Sequence, residues 1–99
     1  MILLPRWLRR PSQDELADFY PSGPLNRAQG GRVTLNCLVV NEGKLDCVVT
    51  NEMPRNQGFG DAALQASKRF KMAPTTVAGL PTRGRHVRLP IVFIAPKAP

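Results

Sequence analysis

The chain has 99 residues, of which 42% are hydrophobic, and this size and composition are typical of one globular domain with a modest core. Fourteen lysines and arginines against seven aspartates and glutamates give a net charge of +7, which serves solubility and favours acidic partners such as nucleic acid, anionic membrane surfaces or acidic protein patches. No stretch approaches the roughly 20 apolar residues of a membrane span, and two cysteines with one histidine are too few for a tetrahedral zinc site.

The first part of the sequence predicts a basic arm followed by a short helix. Met1 to Arg10 shows no periodicity, so we expect it to be extended. Ser12 and Glu15 have the spacing of a capping box, in which each side chain bonds the other residue's main-chain amide. We therefore predict a helix from about Gln13 to Phe19, which Pro21 would stop.

A second short helix and a hairpin are predicted next. The helix would open at Ser22-Gly23-Pro24, with Pro24 in its first turn, and end at Gly30-Gly31. Apolar residues then alternate with others along Val33–Val40 and again along Leu45–Thr50, the period of a strand. The residues at 41–44 form a turn cluster, in which Gly43 is suited to a positive φ.

The main helix is predicted to follow a polar loop from Asn51 to Gly58. Its apolar residues recur at helical spacing and form one stripe: Phe59, Ala63, Ala66 and Phe70. Asp61 in the first turn and basic residues in the last turn suit the helix dipole, and Pro74 would end the element.

The last strand follows a connection at 75–84 that is rich in glycine and proline. Its inward residues alternate as Val87, Leu89, Ile91 and Phe93. Pro90 has no N–H for a ladder hydrogen bond, so we expect an edge strand, which another extended segment can complete. Nearby arginines either blunt this edge against aggregation or attract an acidic peptide: Arg83, Arg85 and Arg88.

These elements predict an α+β fold with a three-stranded antiparallel sheet packed on one main helix, preceded by short N-terminal helices. We divide the chain into an arm and short helix at 1–19, a domain at 20–95 and a tail at 96–99.

The two cysteines lie ten residues apart across the hairpin turn. If residues whose numbers sum to 84 face each other, Cys37 faces Cys47, and a cross-strand bridge is geometrically feasible. Two buried free thiols are the alternative, since unpaired cysteines are often buried.

Catalytic residues are not evident. His86, the single histidine, lies on a predicted strand between arginines, with no serine or cysteine marked as its nucleophile. The acidic residues at 14, 15 and 18 suit a solvated helix face, and Gly58-Phe59-Gly60 lacks the remainder of a phosphate-binding loop. We therefore expect a binding module rather than an enzyme, with no metal and no cofactor.

An ordered set of short motifs resembles the C-terminal domain of the energy transducer TonB. The set comprises Tyr20-Pro21, Gly31-Arg32-Val33, Gly43, Phe59-Gly60, Phe70-Lys71-Met72-Ala73-Pro74, Gly79-Leu80-Pro81 and Val87-Arg88-Leu89-Pro90-Ile91-Val92-Phe93. The resemblance spans Tyr20 to about Ile94, and it is strongest to members of the family with a cysteine in each hairpin strand.

The resemblance implies a periplasmic domain of a protein that an N-terminal helix anchors in the inner membrane. It implies two partners: a TonB-dependent outer-membrane receptor, whose TonB-box peptide pairs with the last strand, and the ExbB–ExbD complex, which would act through an N-terminal region that this chain lacks. Nutrient uptake would be the outcome. The oxidising periplasm favours a disulfide between Cys37 and Cys47.

By position, the resemblance assigns peptide binding to the last strand and to one nearby aromatic residue. The residues are Tyr20, Arg85, His86, Val87, Arg88, Leu89, Pro90, Ile91, Val92 and Phe93. The glutamine that the family has three residues before its tyrosine is Ala17 here. Pro90 would cost an added peptide one hydrogen bond if its nitrogen faced outward.

Two other functions remain alternatives. A TonB-like structural module would assemble with itself or with an envelope partner, and a homodimer could form through the open edge. Nucleic-acid binding through the positive charge is less favoured, because aromatic residues make up only 6% of the chain and no stacking platform is visible.

Overall fold

The computed structural model describes residue 2 and residues 4–95; the tail predicted at 96–99 lies outside this part. The strands are Trp7–Arg9 (β1), Gly31–Val39 (β2), Leu45–Met53 (β3), Lys71–Met72 (β4) and His86–Phe93 (β5). The helices are Gln13–Ala17 (α1), Ser22–Asn26 (α2) and Phe59–Ser67 (α3), with a 3₁₀ turn at Asn41–Gly43. The α+β prediction is confirmed.

The three long strands form one antiparallel sheet in the order β3–β2–β5. Along β2 and β5 the buried side chains are those of the predicted apolar face: Val33, Leu35, Cys37, Val39, Val87, Leu89, Ile91 and Phe93. Alternation with a period of two places these side chains on a single face, where they form the core. The central position of β2 leaves β5 and β3 as the two edges.

Helix α3 covers the apolar face of the sheet. The predicted stripe is buried throughout, and Phe59 has no exposed surface. The N-terminus of α3 has no side-chain cap from Gly58, but the Gly60 N–H donates to the Glu52 carboxylate at 2.9 Å, which ties α3 to β3. The helix ends at Ser67 rather than at Phe70, because the chain turns there to enter β4.

The hairpin has the predicted register over its first half and a longer second strand than predicted. Cys37 pairs with Cys47, as the sum of 84 requires, and the pairing shifts by one residue after Leu35. The bulge leaves Thr50 as the extra residue, and β3 continues to Met53. The loop predicted at 51–58 therefore begins only at Pro54, because pairing with the start of β2 keeps Asn51 to Met53 extended.

A second, two-stranded sheet was not predicted. β1 pairs with β4, with Trp7 opposite Met72, and the Ala73 N–H donates to the Arg6 carbonyl at 2.8 Å. The Trp7 ring meets Phe70 edge to face, with centroids 5.1 Å apart. The arm predicted as extended is thus fixed by main-chain pairing with the segment that follows α3.

The capping box of α1 is present. Ser12 Oγ accepts from the Glu15 N–H at 3.1 Å, and the Glu15 carboxylate accepts from the Ser12 N–H at 3.3 Å. Arg9 and Arg69 reach the same carboxylate at 2.8 and 3.3 Å. The hydrogen bond from Ser12, with smaller contributions from both arginines, holds the pKa of Glu15 below its usual value. This carboxylate therefore joins β1, α1 and the turn that follows α3.

The short helices differ from their predicted bounds. α1 ends at Ala17, because residues 18 and 19 already form a turn. α2 begins at Ser22 with Pro24 in its first turn, as predicted, but it ends at Asn26 rather than at Gly30-Gly31. Leu16 packs into the core from α1, so this helix is part of the folded body.

Candidate functional site

Strand β5 is an edge of the main sheet, as its proline predicted. It pairs with β2 over eight residues without a register shift, from Gly31 opposite Phe93 to Leu38 opposite His86. The predicted site residues on β5 alternate between the core and the solvent. The core side buries Val87, Leu89, Ile91 and Phe93, and the solvent side exposes His86, Arg88, Pro90 and Val92. Arg85 lies exposed just before the strand.

The main-chain groups of the even-numbered β5 residues face away from the sheet. The Val39 N–H donates to the Arg85 carbonyl at 2.9 Å, so the odd-numbered residues bond to β2. The His86 carbonyl accepts instead from the Ile2 N–H at 2.7 Å, on the outer side. The outward-facing main-chain groups of β5 are therefore those of His86, Arg88, Pro90 and Val92, and the His86 carbonyl is already bonded to Ile2.

Pro90 interrupts this outer row. Pro90 is one of the even-numbered residues of β5, so its nitrogen points outward, away from the hydrogen bonds to β2. The proline thus costs the sheet itself no hydrogen bond, but it leaves the outer edge with an acceptor and no donor at this position. Because the nitrogen of Pro90 faces outward, a peptide added along β5 would lose one main-chain hydrogen bond at this position.

The other edge of the sheet is less suited to strand addition. β3 contains the bulge at Thr50, which bends the strand and disrupts the regular spacing of main-chain groups. Bulges are one of the features that protect edges from pairing. Of the two edges, β5 is therefore the regular one.

The start of the β5 edge already has a neighbour that the sequence did not predict. Ile2 forms a parallel bridge with Val87, and its side chain is 7% exposed. The only sequence signal is the apolar run at residues 1–4, which gives no indication of where in the fold it packs.

Positive charge surrounds the β5 edge. Arg83, Arg85 and Arg88 are exposed, and none of them is in an ion pair within residue 2 and residues 4–95. The Arg85 Nε–H donates to the Pro81 carbonyl at 2.8 Å, which holds that side chain at the strand's start. The edge therefore favours acidic groups on an added segment.

Tyr20 lies at the far end of β5. Its ring meets Phe59 and Phe93 edge to face, with both centroids 5.7 Å away, and its hydroxyl donates to the Gln29 carbonyl. Burial raises the pKa of Tyr20, so the hydroxyl stays protonated as a donor. Ala17, at the position of the family's glutamine, is exposed and carries no amide. The structure thus gives Tyr20 a packing role behind the end of the strand.

Cys37 and Cys47 are joined by a disulfide across the hairpin. The main-chain groups of Cys37 bond to Val87 on the other side, so Cys37 and Cys47 are a non-hydrogen-bonded pair. Such pairs bring opposite residues closer together, and the Cα atoms here are 4.0 Å apart. The bridge therefore links the two strands behind the start of β5.

Other potential sites lie apart from this edge. An apolar groove of about 410 Å³ opens between β4, the hairpin turn and Thr82. Within residue 2 and residues 4–95, no three His, Cys, Asp or Glu residues are grouped to hold a metal ion. None of the helices in that part of the chain is long and apolar enough to cross a membrane.

Comparison with known proteins agrees with the resemblance. The family model described as Gram-negative bacterial TonB protein C-terminal matches residues 17–95. The solved structure of the TonB2 protein from Vibrio anguillarum is similar, with 32% identity, a TM-score of 0.57, and coverage of 79% of this chain and 74% of that one. No curated protein matches. The chain therefore belongs to the Gram-negative TonB C-terminal domain family, whose members are periplasmic, non-enzymatic domains of energy transducers.

Proposed function

We propose that this domain binds the TonB-box peptide of an outer-membrane receptor by strand addition to β5, and that it drives nutrient uptake through that contact. The observation that carries the proposal is the regular outer edge of β5, with main-chain groups directed outward from Arg88 to Val92. Main-chain hydrogen bonds would supply affinity in this binding mode, and the surrounding arginines would favour acidic peptides.

The same proposal places the domain in a longer transducer. Residues 20–95 would be the receptor-binding domain, 1–19 its lead-in and 96–99 a tail. A membrane anchor in the inner membrane and contact with the ExbB–ExbD complex would belong to sequence outside this chain. The domain itself would then transmit force rather than catalyse a reaction.

Titration with a TonB-box peptide tests peptide binding directly. In ¹H–¹⁵N spectra we expect the amides of Arg88 and Val92 to shift most, because their N–H groups face the added strand. Amides on the outer edge of β3, such as Val49, serve as the internal control. Shifts centred on β3, or none with TonB-box peptides from several receptors, would rule the proposal out.

Replacing Pro90 by alanine should strengthen this binding. The substitution restores an outward N–H in the middle of the edge, and one added hydrogen bond is worth about 0.5–1.5 kcal/mol, or roughly two- to tenfold in Kd. Calorimetric titration of the wild type and Pro90→Ala with the same peptide measures the difference. Pro81→Ala, in the connection before β5, is the control and should leave Kd unchanged. An equal or weaker Kd for Pro90→Ala would show that no bond forms there.

A self-assembling envelope module is the second candidate, because the same open edge can pair with another copy of itself. Two exposed apolar side chains at its end, Val92 and Ile94, would add to such a contact. Sedimentation across a range of concentrations distinguishes the two functions. Concentration-dependent association without any peptide-induced shift on β5 would favour self-assembly.

A further inference from the structure

The N-terminal arm occupies the first position on the outer edge of β5. The Ile2 N–H donates to the His86 carbonyl at 2.7 Å, and Ile2 bridges Val87 in parallel orientation. The Ile2 side chain is 7% exposed and belongs to the core cluster. Ile2 therefore lies where a residue of an added strand would lie on the edge of β5.

The arm is held at a second point, further along the chain. The Arg6 carbonyl accepts from the Ala73 N–H at 2.8 Å, and Trp7 pairs with Met72. Arg9 adds hydrogen bonds to the Arg69 carbonyl and to the Glu15 carboxylate, both at 2.8 Å. These contacts do not involve β5, so the Ile2 segment can leave the edge while β1 stays paired.

The pairing of β1 with β4 tethers the Ile2 segment, so the segment can compete with a peptide for the edge of β5. Only four residues lie between Ile2 and Trp7, so the segment stays close to β5 after it leaves, at a high effective concentration. The Ile2–Val87 bridge also directs the Arg88 N–H toward the Ile2 carbonyl. The outward groups beyond it, those of Pro90 and Val92, have no main-chain partner within residue 2 and residues 4–95. The arm thus covers the start of the edge and leaves the remainder open.

We propose that the N-terminal arm is an intramolecular competitor for the docking edge, by which we mean the outer main-chain groups of β5 from His86 to Val92. Ile2 must leave its place beside His86 and Val87 before a peptide can pair along the whole of β5. This inference rests on the proposed binding of a peptide to β5, and it describes how the arm would regulate that binding. The apparent Kd for a peptide that reaches His86 is raised by the fraction of molecules whose arm is closed. A peptide that pairs only with Pro90 and Val92 avoids most of this effect.

The experiment compares chains that differ only in the arm. One chain begins at Arg6, and it retains β1 and the Ala73 hydrogen bond. A second carries Ile2→Ala, which removes most of the buried side chain. Leu4→Ala is the matched control, because Leu4 lies on the same arm and its side chain is 76% exposed. Thermal unfolding of every chain verifies that the domain remains folded.

The measurement is the Kd of each chain for the TonB-box peptide used above, by calorimetry. We expect the chain that begins at Arg6 to bind roughly three- to tenfold more tightly than the wild type, Ile2→Ala to bind more tightly by a smaller factor, and Leu4→Ala to match the wild type. Without peptide, the amides of Val87 and Arg88 should shift in Ile2→Ala and not in Leu4→Ala, which reports directly on release of the arm.

The possible results separate the two proposals. Equal Kd values in all chains, with peptide-induced shifts along β5, would show that the arm does not compete and would leave receptor binding intact. Weaker binding by the folded chain that begins at Arg6 would also refute competition, because the arm would then support the complex. If the peptide shifts no β5 amide in any chain, receptor binding fails, and competition fails with it.

Discussion

Replacing Phe59 by alanine is expected to lower the free energy of unfolding by about 3–5 kcal/mol, the usual cost of removing a fully buried aromatic side chain. The Phe59 ring has no exposed surface, and its centroid lies 5.4 Å from that of Phe93 and 5.7 Å from that of Tyr20. It also lies against the main chain of Gly31, where a Cβ would come within 2.6 Å of the ring. The cavity would therefore open beneath β2 and the end of β5 together.

Urea unfolding followed by circular dichroism measures this change. Phe19→Ala is the matched control, since the Phe19 ring is only partly buried and is contacted by the Arg69 guanidinium 4.7 Å above it. We expect a loss of about 1 kcal/mol there, from partial burial and a cation–π contact. A loss at Phe59 no larger than that at Phe19 would contradict the structure of the core.

Loss of the disulfide is the second large effect that we expect. Cys37 and Cys47 close a loop with a sequence separation of ten, and on the chain-entropy model the bond stabilises the domain by about 2–3 kcal/mol. The double variant Cys37→Ala, Cys47→Ala should therefore unfold at lower urea concentration. It also removes the buried sulfur of Cys37, which adds a smaller packing loss.

Reduction separates the bond from the packing. Adding a reductant to the wild type should reproduce most of the loss, because the side chains remain and only the crosslink disappears. The same reductant added to the double alanine variant should change nothing, which controls for its other effects. If the wild type unfolds at the same urea concentration before and after verified reduction, the bond does not stabilise this domain.

The predictions that succeeded from sequence rest on local patterns. Alternation along β2 and β5 identified every buried residue of those strands, and the ladder confirms that Cys37 faces Cys47. The Ser12–Glu15 capping box and the positive φ of Gly43 also follow from neighbouring residues, and both are present. Each of these features depends on a few adjacent side chains, so a single sequence contains the necessary information.

The features that were missed depend on segments far apart in the chain. β4 has only two residues, and it exists because β1 pairs with it from more than sixty positions away. The bulge at Thr50 and the extension of β3 to Met53 follow from pairing with the start of β2, which the polar composition of that segment concealed. The place of Ile2 beside Val87 has the same origin.

The docking edge shows both contributions. Pro90 by itself determined that β5 lies at an edge, because a strand that lacks a donor is not accommodated at the centre of a sheet. Only the tertiary structure decided that the nitrogen of Pro90 faces outward and that the arm covers the start of the strand. The physical reason is that side-chain periodicity reports which face is buried, whereas the direction of main-chain groups is set by the partner strand and its register.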